Sequence, residues 1–169
     1  MIVIYLPHDN LETDMQAIDL IDDHRPEIRL GIERMPSTRL LGLKVLGLGD
    51  GVSLLEMAIR PEITFDGRNV QGGIVGTLAD YAAVSAANTV MPAGWAAATT
   101  GIEVHNLEPA NGVRLLAVGR SIRSGKGLSL GEARVYAQAE DGPVGDPTAH
   151  RLVAVAMATC RGFALEQRP

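Results

Sequence analysis

The stretch NVQGGIVGTLAD, residues 69–80, combines two adjacent glycines and one carboxylate in a run that otherwise predicts a buried helix. Gly72 and Gly73 weaken the start of a helix, and Asp80 is a polar residue among Leu and Ala. A helix N-terminus has unpaired N–H donors that can bind a negatively charged oxygen, and a carboxylate can act as a base or a nucleophile. A tightly packed glycine turn and an Asp on the polar edge of a helix would also explain these residues.

Other residues of reactive type have simpler structural explanations. Glu103 and His105 share one face of a predicted strand, which is typical of a surface pair. Cys160 lies in an apolar strand and is expected to be an inert core residue. The remaining histidines lack the spacing of metal ligands: His8, His24 and His150.

The composition is that of one globular domain. The chain has 169 residues, of which 46% are hydrophobic and 21% charged, enough to build one sizeable core. A net charge of −5 without a long basic block argues against nucleic acid or an anionic membrane as the main partner. The short apolar lead MIVIYLP does not predict a signal peptide, and no run approaches the roughly 20 apolar residues of a membrane span. We therefore expect a cytoplasmic protein.

The first part of the chain predicts a helix, a connecting segment and a hairpin. Residues 9–27 have the pattern of an amphipathic helix that ends at Pro26, and residues 25–37 read as connecting chain that could include a short turn of helix. From residue 38 onwards the pattern changes to two strands joined at GDG, which is a strong hairpin signal. The predicted division is an N-terminal helix with its connecting segment (1–37) and a main domain (38–165).

The second part predicts one long helix followed by four strands. Residues 72–88 are apolar around most of the helix, so this helix should be buried in the core or wrapped by a sheet. The later connections are short, which predicts that all four strands are antiparallel neighbours, with a bulge near Gly131. The last strand is apolar on both faces. Because one helix cannot cover both faces of six strands, we expect a second chain to cover the remaining apolar surface.

The stretch QGGIVGTLADYAAVSAA, residues 71–87, resembles the HGGxxxxLADxAxxxA signature of the hotdog-fold thioesterases, specifically the PaaI-like branch of phenylacetic acid degradation. Three later segments are similar to strands of that family: TTGIEVHNLEPANG, RSGKGLSLGEARVYAQ and LVAVAMATCRGF. The resemblance covers about residues 38–163. It implies an α+β hotdog fold, in which a six-stranded antiparallel sheet wraps a long central helix, here with an extra N-terminal helix. It also implies a homodimer, often paired into a homotetramer, with each active site between two subunits.

The resemblance further implies hydrolysis of an acyl-CoA thioester, with the CoA thioester as substrate and no metal or other cofactor. Asp80 would activate a water molecule or attack the thioester itself. The N–H groups at Gly72 and Gly73 would stabilise the oxyanion, and Thr99 would help to position the attacking water. The eight residues from Gly72 to Asp80 are close to two helical turns.

Gln71 departs from the family pattern, which usually has His at this position. A Gln amide can donate a hydrogen bond to a carbonyl oxygen but cannot titrate near neutral pH. Many relatives also have an Asn six residues before that His, where this sequence has Phe65. Asp66 and Asn69 are the nearby polar candidates, and Asn69 is the predicted substrate contact.

The turn formed by Arg123, Ser124, Gly125 and Lys126 falls where relatives contact the phosphates of CoA. A Lys/Arg cluster beside a glycine turn suits a diphosphate, although exposed hairpin charges are also typical of a solvated surface. Tyr81 could either line the acyl pocket or fill the core.

The expected function is that of an acyl-CoA thioesterase acting on an aryl- or medium-chain acyl-CoA. The replacement of His by Gln71 keeps a second hypothesis open, that of a non-catalytic hotdog protein that binds acyl-CoA and has a regulatory role. A hotdog hydratase or dehydratase is disfavoured, because residues 72–88 contain no His.

Overall fold

A computed structural model describes residues 25–140 and 149–165 of the chain. Within these ranges the helices are α1 (Pro26–Arg34), α2 (Pro36–Leu41) and α3 (Gly72–Thr89), with a short 3₁₀ turn at Pro61–Ile63. The six strands are β1 (Leu43–Gly49), β2 (Val52–Ala58), β3 (Trp95–Asn106), β4 (Arg114–Arg123), β5 (Ser129–Gln138) and β6 (His150–Ala164). All six form one antiparallel sheet around α3, which confirms the predicted hotdog fold.

The N-terminal part of the described chain corrects two predictions. Pro26 begins helix α1 instead of ending a helix, because at the first helical position its missing N–H group costs no hydrogen bond. Residues 38–41, predicted as strand, belong to α2, which ends at Gly42 in a left-handed conformation with φ 68. The predicted helix over residues 9–24 lies outside the described residues.

Helix α1 packs on the main core, although its sequence was predicted to be connecting chain. Ile28 and Ile32 are one helical turn apart and are only 7% and 5% exposed. Because both side chains join the core cluster of the sheet and α3, α1 lies directly against the hotdog domain. The division of the chain at residue 38 remains a prediction.

The predicted hairpin between β1 and β2 is confirmed. Its turn is formed by Asp50 and Gly51, both with positive φ (48 and 80), as a two-residue type I′ turn requires.

The predicted pairing of β3 with β4 is wrong. The strand order is β1-β2-β4-β5-β6-β3, so that β3 lies at the edge of the sheet and pairs with β6. Residues 107–113 cross the end of the sheet between them: Leu107 N–H donates to Val153 O of β6, and Val113 N–H donates to Gln138 O of β5. Three strand spacings are only about 15 Å, so a seven-residue connection can span them.

The bulge predicted near Gly131 is found at that level of the sheet, but in the neighbouring strand. The register between β4 and β5 shifts opposite Gly131, and Ile122 of β4 is the extra residue. The β4–β5 and β5–β6 pairings themselves are antiparallel, as predicted.

Small residues hold α3 against the sheet. A Cβ atom at Gly119 would lie 2.1 Å from Ala82 O, and one at Gly131 would lie 2.4 Å from Ala83 O. These glycines therefore let β4 and β5 touch the backbone of α3, whose predicted range of 72–88 is confirmed with one further residue. None of the helices in the described ranges is long and apolar enough to cross a membrane.

The two apolar faces of β6 are covered unequally. Ala154 and Ala158 are fully buried, whereas Met157 on the other face is 47% exposed. Coverage of that second face by another chain remains a prediction.

Candidate active site

Asp80 and Thr99 are brought together by the packing of β3 along α3. The Thr99 hydroxyl donates to the Asp80 carboxylate, with Oγ1 at 2.9 Å from Oδ1 and 3.1 Å from Oδ2. Asp80 is half-buried, and the residues on either side of it along the helix, Leu78, Ala79 and Ala82, are fully buried. The carboxylate is therefore carried by a segment of α3 whose neighbouring side chains are fully buried.

A β-bulge next to Asp80 sets the direction of Thr99. The register between β3 and β6 shifts between Thr99 and Gly101, which leaves Thr100 as the extra residue. Thr100 Oγ1 donates to Thr159 O at 3.1 Å, away from Asp80. Bulges bend a strand and re-aim its side chains, and they are frequent beside active sites.

The electrostatic setting of Asp80 favours its protonated form. Burial raises the pKa of the carboxyl above its usual range, and the hydrogen bond from Thr99 offsets this only in part. Among the described residues, Thr99 is its only hydrogen-bonding partner, and no Lys or Arg forms an ion pair with it. A carboxylate with a raised pKa is a stronger base than an exposed Asp, and such groups cluster at functional sites.

A cavity of about 400 Å³ opens beside this carboxylate. One side is a stripe of α3 made by Asp80, Tyr81, Val84, Ser85 and Asn88. The other walls come from α1 and its C-cap (Ile28, Gly31, Ile32, Met35), from β3 (Ala96, Ala97, Ala98, Thr99) and from the C-terminal end of β6 and the residue that follows it (Phe163, Leu165). Reasoning from sequence missed the wall formed by α1, although the four-residue spacing of Ile28 and Ile32 was a signal for it.

Tyr81 lines this cavity and connects it to the N-terminal helices, and its place in an acyl pocket remains a prediction. Its hydroxyl lies 2.6 Å from Ser37 Oγ, and Thr38 Oγ1 donates to it at 3.2 Å. Tyr81 thereby fixes the corner between α1 and α2 next to Asp80.

Gln71 is the N-cap of α3, and the two predicted oxyanion glycines follow it. Gln71 Oε1 accepts a hydrogen bond from the N–H of Ile74 at 3.1 Å. A Cβ atom at Gly73 would lie 2.9 Å from Gln71 Oε1, so glycine makes room for the cap. In one chain, Gly72 and Gly73 lie roughly 10–12 Å from Asp80 along the helix and do not line its cavity. Their role in catalysis remains a prediction.

Asn69 is engaged within its own loop. Its Nδ2 donates to Asp66 Oδ2 at 2.6 Å, and its Oδ1 accepts from Asn111 Nδ2 at 2.9 Å. Hydrogen bonds from the backbone and side chain of Asn69 and from the backbone of Arg68 hold the pKa of Asp66 below its usual range. Another cavity, of about 420 Å³, lies beside Arg68 and Asn111 and contains none of the predicted catalytic residues.

The turn predicted to contact CoA lies at the C-terminal end of α3, opposite the glycines. Ser124 Oγ donates to Ala87 O at 3.2 Å, and Gly125 N–H donates to Ser129 Oγ at 3.1 Å. Lys126 Nζ lies 4.3 Å from the centre of the Trp95 ring. Arg123 and Lys126 are both exposed to solvent.

Glu103 and His105 form an exposed pair on β3, with His105 Nε2 at 3.1 Å from Glu103 Oε1, as predicted. Cys160 is buried in β6, opposite Thr99 in the pairing with β3. Burial, together with the negative charge of Asp80, raises the pKa of the Cys160 thiol to about 11. A protonated, buried thiol is unreactive, which agrees with the prediction for this residue.

An 18-residue helix wrapped by a six-stranded antiparallel sheet, with a carboxylate at mid-helix, defines a hotdog-fold protein. No family profile matches the sequence, and no curated protein matches it. Several solved structures, however, are similar to this chain. A thioesterase family protein from Silicibacter pomeroyi is 28% identical, with a TM-score of 0.73 over 82% of this chain and 96% of that one.

Two further solved structures share the fold at lower identity. The PaaI protein from the phenylacetic acid degradation operon of E. coli is 17% identical, with a TM-score of 0.67 over 92% of this chain and 97% of that one. A thioesterase from Haemophilus influenzae is 14% identical, with a TM-score of 0.68 over 82% and 90%. The structural neighbours are thioesterase-family hotdog proteins, which confirms the resemblance predicted from the sequence.

Proposed function

We propose that this protein hydrolyses the thioester of an aryl- or medium-chain acyl-CoA. The thioesterase neighbours, one of them 28% identical, support thioester hydrolysis as the class of reaction. The observation that carries the proposal is the Asp80 carboxylate. It has a raised pKa, receives a hydrogen bond from Thr99 and lies at the edge of an apolar cavity.

In the proposed reaction, Asp80 acts on the water molecule that attacks the thioester carbonyl. Asp80 takes one proton from this water, the new C–O bond forms, and the carbonyl oxygen becomes an oxyanion. The C–S bond then breaks, the CoA sulfur takes up the proton held by Asp80, and the free acid and CoA thiol leave. A direct attack by Asp80, which gives an acyl anhydride that water then hydrolyses, leads to the same products.

The oxyanion would be stabilised by N–H groups at Gly72 and Gly73 at the positive end of α3. Because these glycines lie far from Asp80 within one chain, we propose that the site is completed in a homodimer, in which α3 of the second subunit supplies them. The edge position of β3 supports this arrangement, since an edge strand has unpaired N–H and C=O groups that a second β3 can bond. A dimer of such dimers would give a tetramer.

The nucleotide end of CoA would bind the exposed turn at Arg123, Ser124, Gly125 and Lys126. Guanidinium and ammonium groups beside a glycine turn suit a diphosphate. Asn69 would contribute to substrate binding through its loop.

A non-catalytic acyl-CoA-binding protein is the second candidate, and the geometry of Gln71 favours it. The Gln71 side-chain oxygen is already used to cap α3, and Gln cannot supply the titrating group of the usual His.

The experiment is to give the purified protein a panel of aryl and aliphatic acyl-CoAs while free thiol is measured. Thiol release that Asp80→Ala abolishes would support the thioesterase, and Arg134→Ala, outside the site, should not change it. Binding of acyl-CoA without thiol release would support the second candidate. If the protein neither releases thiol from any acyl-CoA of the panel nor binds any of them, both candidates are excluded.

A further inference from the structure

Helix α1 runs beside α3 in the opposite direction, with the Asp80 cavity between them. At one end, the Tyr81 hydroxyl donates to Met35 Sδ at 3.6 Å. At the other end, Arg25 Nη1 donates to Met91 O, just beyond α3, at 2.7 Å. The cavity is therefore an elongated groove that begins at Asp80 and runs towards the C-terminal end of α3.

The groove is polar at its reaction end and mostly apolar beyond it. Past Asp80 and Thr99, its walls are formed by apolar side chains: Ile28, Ile32, Val84, Phe163 and Leu165. The Asn88 amide at the far end is already bonded to the backbone of Ala97 on both its oxygen and its nitrogen. Glu27, also at that end, is paired with Arg25. These walls suit an aliphatic chain.

The length of the groove sets the length of the chain that it can hold. From Asp80 to Asn88, α3 advances by eight residues, or about 12 Å. With C–C bonds of about 1.5 Å and angles of about 111°, an extended alkyl chain advances about 1.25 Å per carbon. The groove therefore accommodates roughly eight to ten carbons.

Gly31 is the position on α1 where a side chain would block this groove. It lies one turn from Glu27 at the far end and one turn from Met35 at the Asp80 end, and it lines the cavity. A Cβ atom at Gly31 would have nothing within 4 Å. Glycine is less favourable than Ala inside a helix, so helix stability gives no reason for glycine at this position.

We infer that α1 forms one wall of the acyl pocket and that the missing side chain of Gly31 lets straight acyl chains of about eight to ten carbons extend past it. Gly31 is thus a specificity-determining residue that touches the acyl group remote from the reacting carbonyl. The inference names the substrate class of the site and rests on the proposed thioesterase function.

The test is the chain-length profile of kcat/KM for straight acyl-CoAs from C4 to C12 and for phenylacetyl-CoA. In the wild type, each added methylene should raise kcat/KM about fourfold until the maximum at eight to ten carbons. In Gly31→Leu the maximum should move to about four to six carbons, because the new side chain enters the groove halfway. The value for C10 should fall at least tenfold, while the value for C4 stays within about twofold.

Arg34→Leu is the matched control, because it adds the same side chain to α1 at an exposed position that does not line the groove. It should keep the wild-type profile, and Gly31→Ala should give an intermediate one. Thermal unfolding of each variant shows whether the fold is retained. A profile that Gly31→Leu leaves unchanged, or lowers equally at every length, would overturn the inference. A preference for phenylacetyl-CoA that Gly31→Leu leaves unchanged would also overturn the inference.

A binding measurement separates this inference from the proposed function. If the wild type releases no thiol from any acyl-CoA, the thioesterase proposal fails, and titration calorimetry with decanoate then tests the groove. Decanoate that binds the wild type at least tenfold more tightly than Gly31→Leu would support the groove. Equal binding, or none to the wild type, would overturn it.

Discussion

Asp80 and Glu56 are both carboxylates in the body of the fold, but their partners differ. Glu56 on β2 is 6% exposed and accepts hydrogen bonds from Lys44 Nζ at 2.9 Å and Arg114 Nη1 at 3.0 Å. Burial alone would raise its pKa, yet these two cations outweigh burial and hold the pKa below the usual range. Among the described residues, Asp80 has only the neutral hydroxyl of Thr99 as a partner, and its pKa is raised. A buried carboxylate with cations is a structural ion pair, whereas one without them is available for chemistry.

The strongest test of this contrast is activity. Asp80→Asn should lower kcat about 10²- to 10⁴-fold, because it removes the general base while keeping the shape and the acceptor for Thr99. Glu56→Gln should leave kcat per folded molecule within about twofold, since Glu56 is remote from the cavity. Thiol release by equal amounts of folded protein measures both variants. A loss below tenfold in Asp80→Asn, or a large loss in Glu56→Gln, would remove the functional distinction between the two carboxylates.

The converse test is stability. Glu56→Gln should lower the free energy of unfolding at pH 7 by about 1–3 kcal/mol, because Arg114 loses its charged acceptor in a largely buried place. Lys44 is mostly exposed and contributes little. Urea unfolding measures the change, and Glu103→Gln, an exposed carboxylate on β3, is the control, with an expected change within about 0.5 kcal/mol. If both variants unfold at the same urea concentration, the ion pair does not stabilise the fold.

In the part of the chain that the structure describes, Thr99 is the one group that lowers the pKa of Asp80, so its removal should increase the contrast with Glu56. Thr99→Val should lower kcat about tenfold through loss of one hydrogen bond to the carboxylate. It should also move the acid limb of the pH–rate profile to higher pH, because the hydrogen bond that lowers the pKa of Asp80 is lost. Thr99→Ser should restore both. An unshifted acid limb in Thr99→Val would show that Thr99 does not act through Asp80.

The central part of this fold could be predicted because its local signals agree with its packing. The GDG turn, the apolar circumference of α3 and the alternating strands each carry their own pattern, and all are found in the structure. The position of β3 could not be predicted from its short connection to β4. Loop length limits how far apart two strands can lie, but it does not say which strand fills the gap, and here β6 and β5 do.

Of the candidate site, the residue pattern by itself indicated only the part that lies on α3. Asp80 stands out because a carboxylate interrupts an apolar helix, and Thr99 followed from family resemblance. The α1 wall was missed because Pro26 was read as the end of a helix, although Pro is favoured at the first helical position, where α1 begins. The residue types of α1 indicate how stable this helix is by itself, but they do not indicate which element packs against it.

The smallest expected effect is on stability as a function of pH. Neutral replacements of the two carboxylates should change the free energy of unfolding in opposite directions. The pKa of Asp80 is raised in the folded state, so the wild type gains from this group below about pH 3.9, the value in the unfolded chain, and loses that gain as pH rises through the folded pKa. Asp80→Asn should therefore match the wild type near pH 3 and have the higher free energy of unfolding at pH 7.

Glu56 follows the opposite rule. Its folded pKa is depressed, so its contribution is present above about pH 4.3 and disappears as pH falls through the folded value. Relative to the wild type, Glu56→Gln should thus have a lower free energy of unfolding at pH 7, and Asp80→Asn a higher one. Both differences should become smaller in acid. Urea unfolding of all three proteins across pH 3 to 8 measures both curves. Curves of the same sign would mean that Asp80, like Glu56, is held in its charged form by the fold, and Asp80 would then lack the basicity on which its proposed role depends.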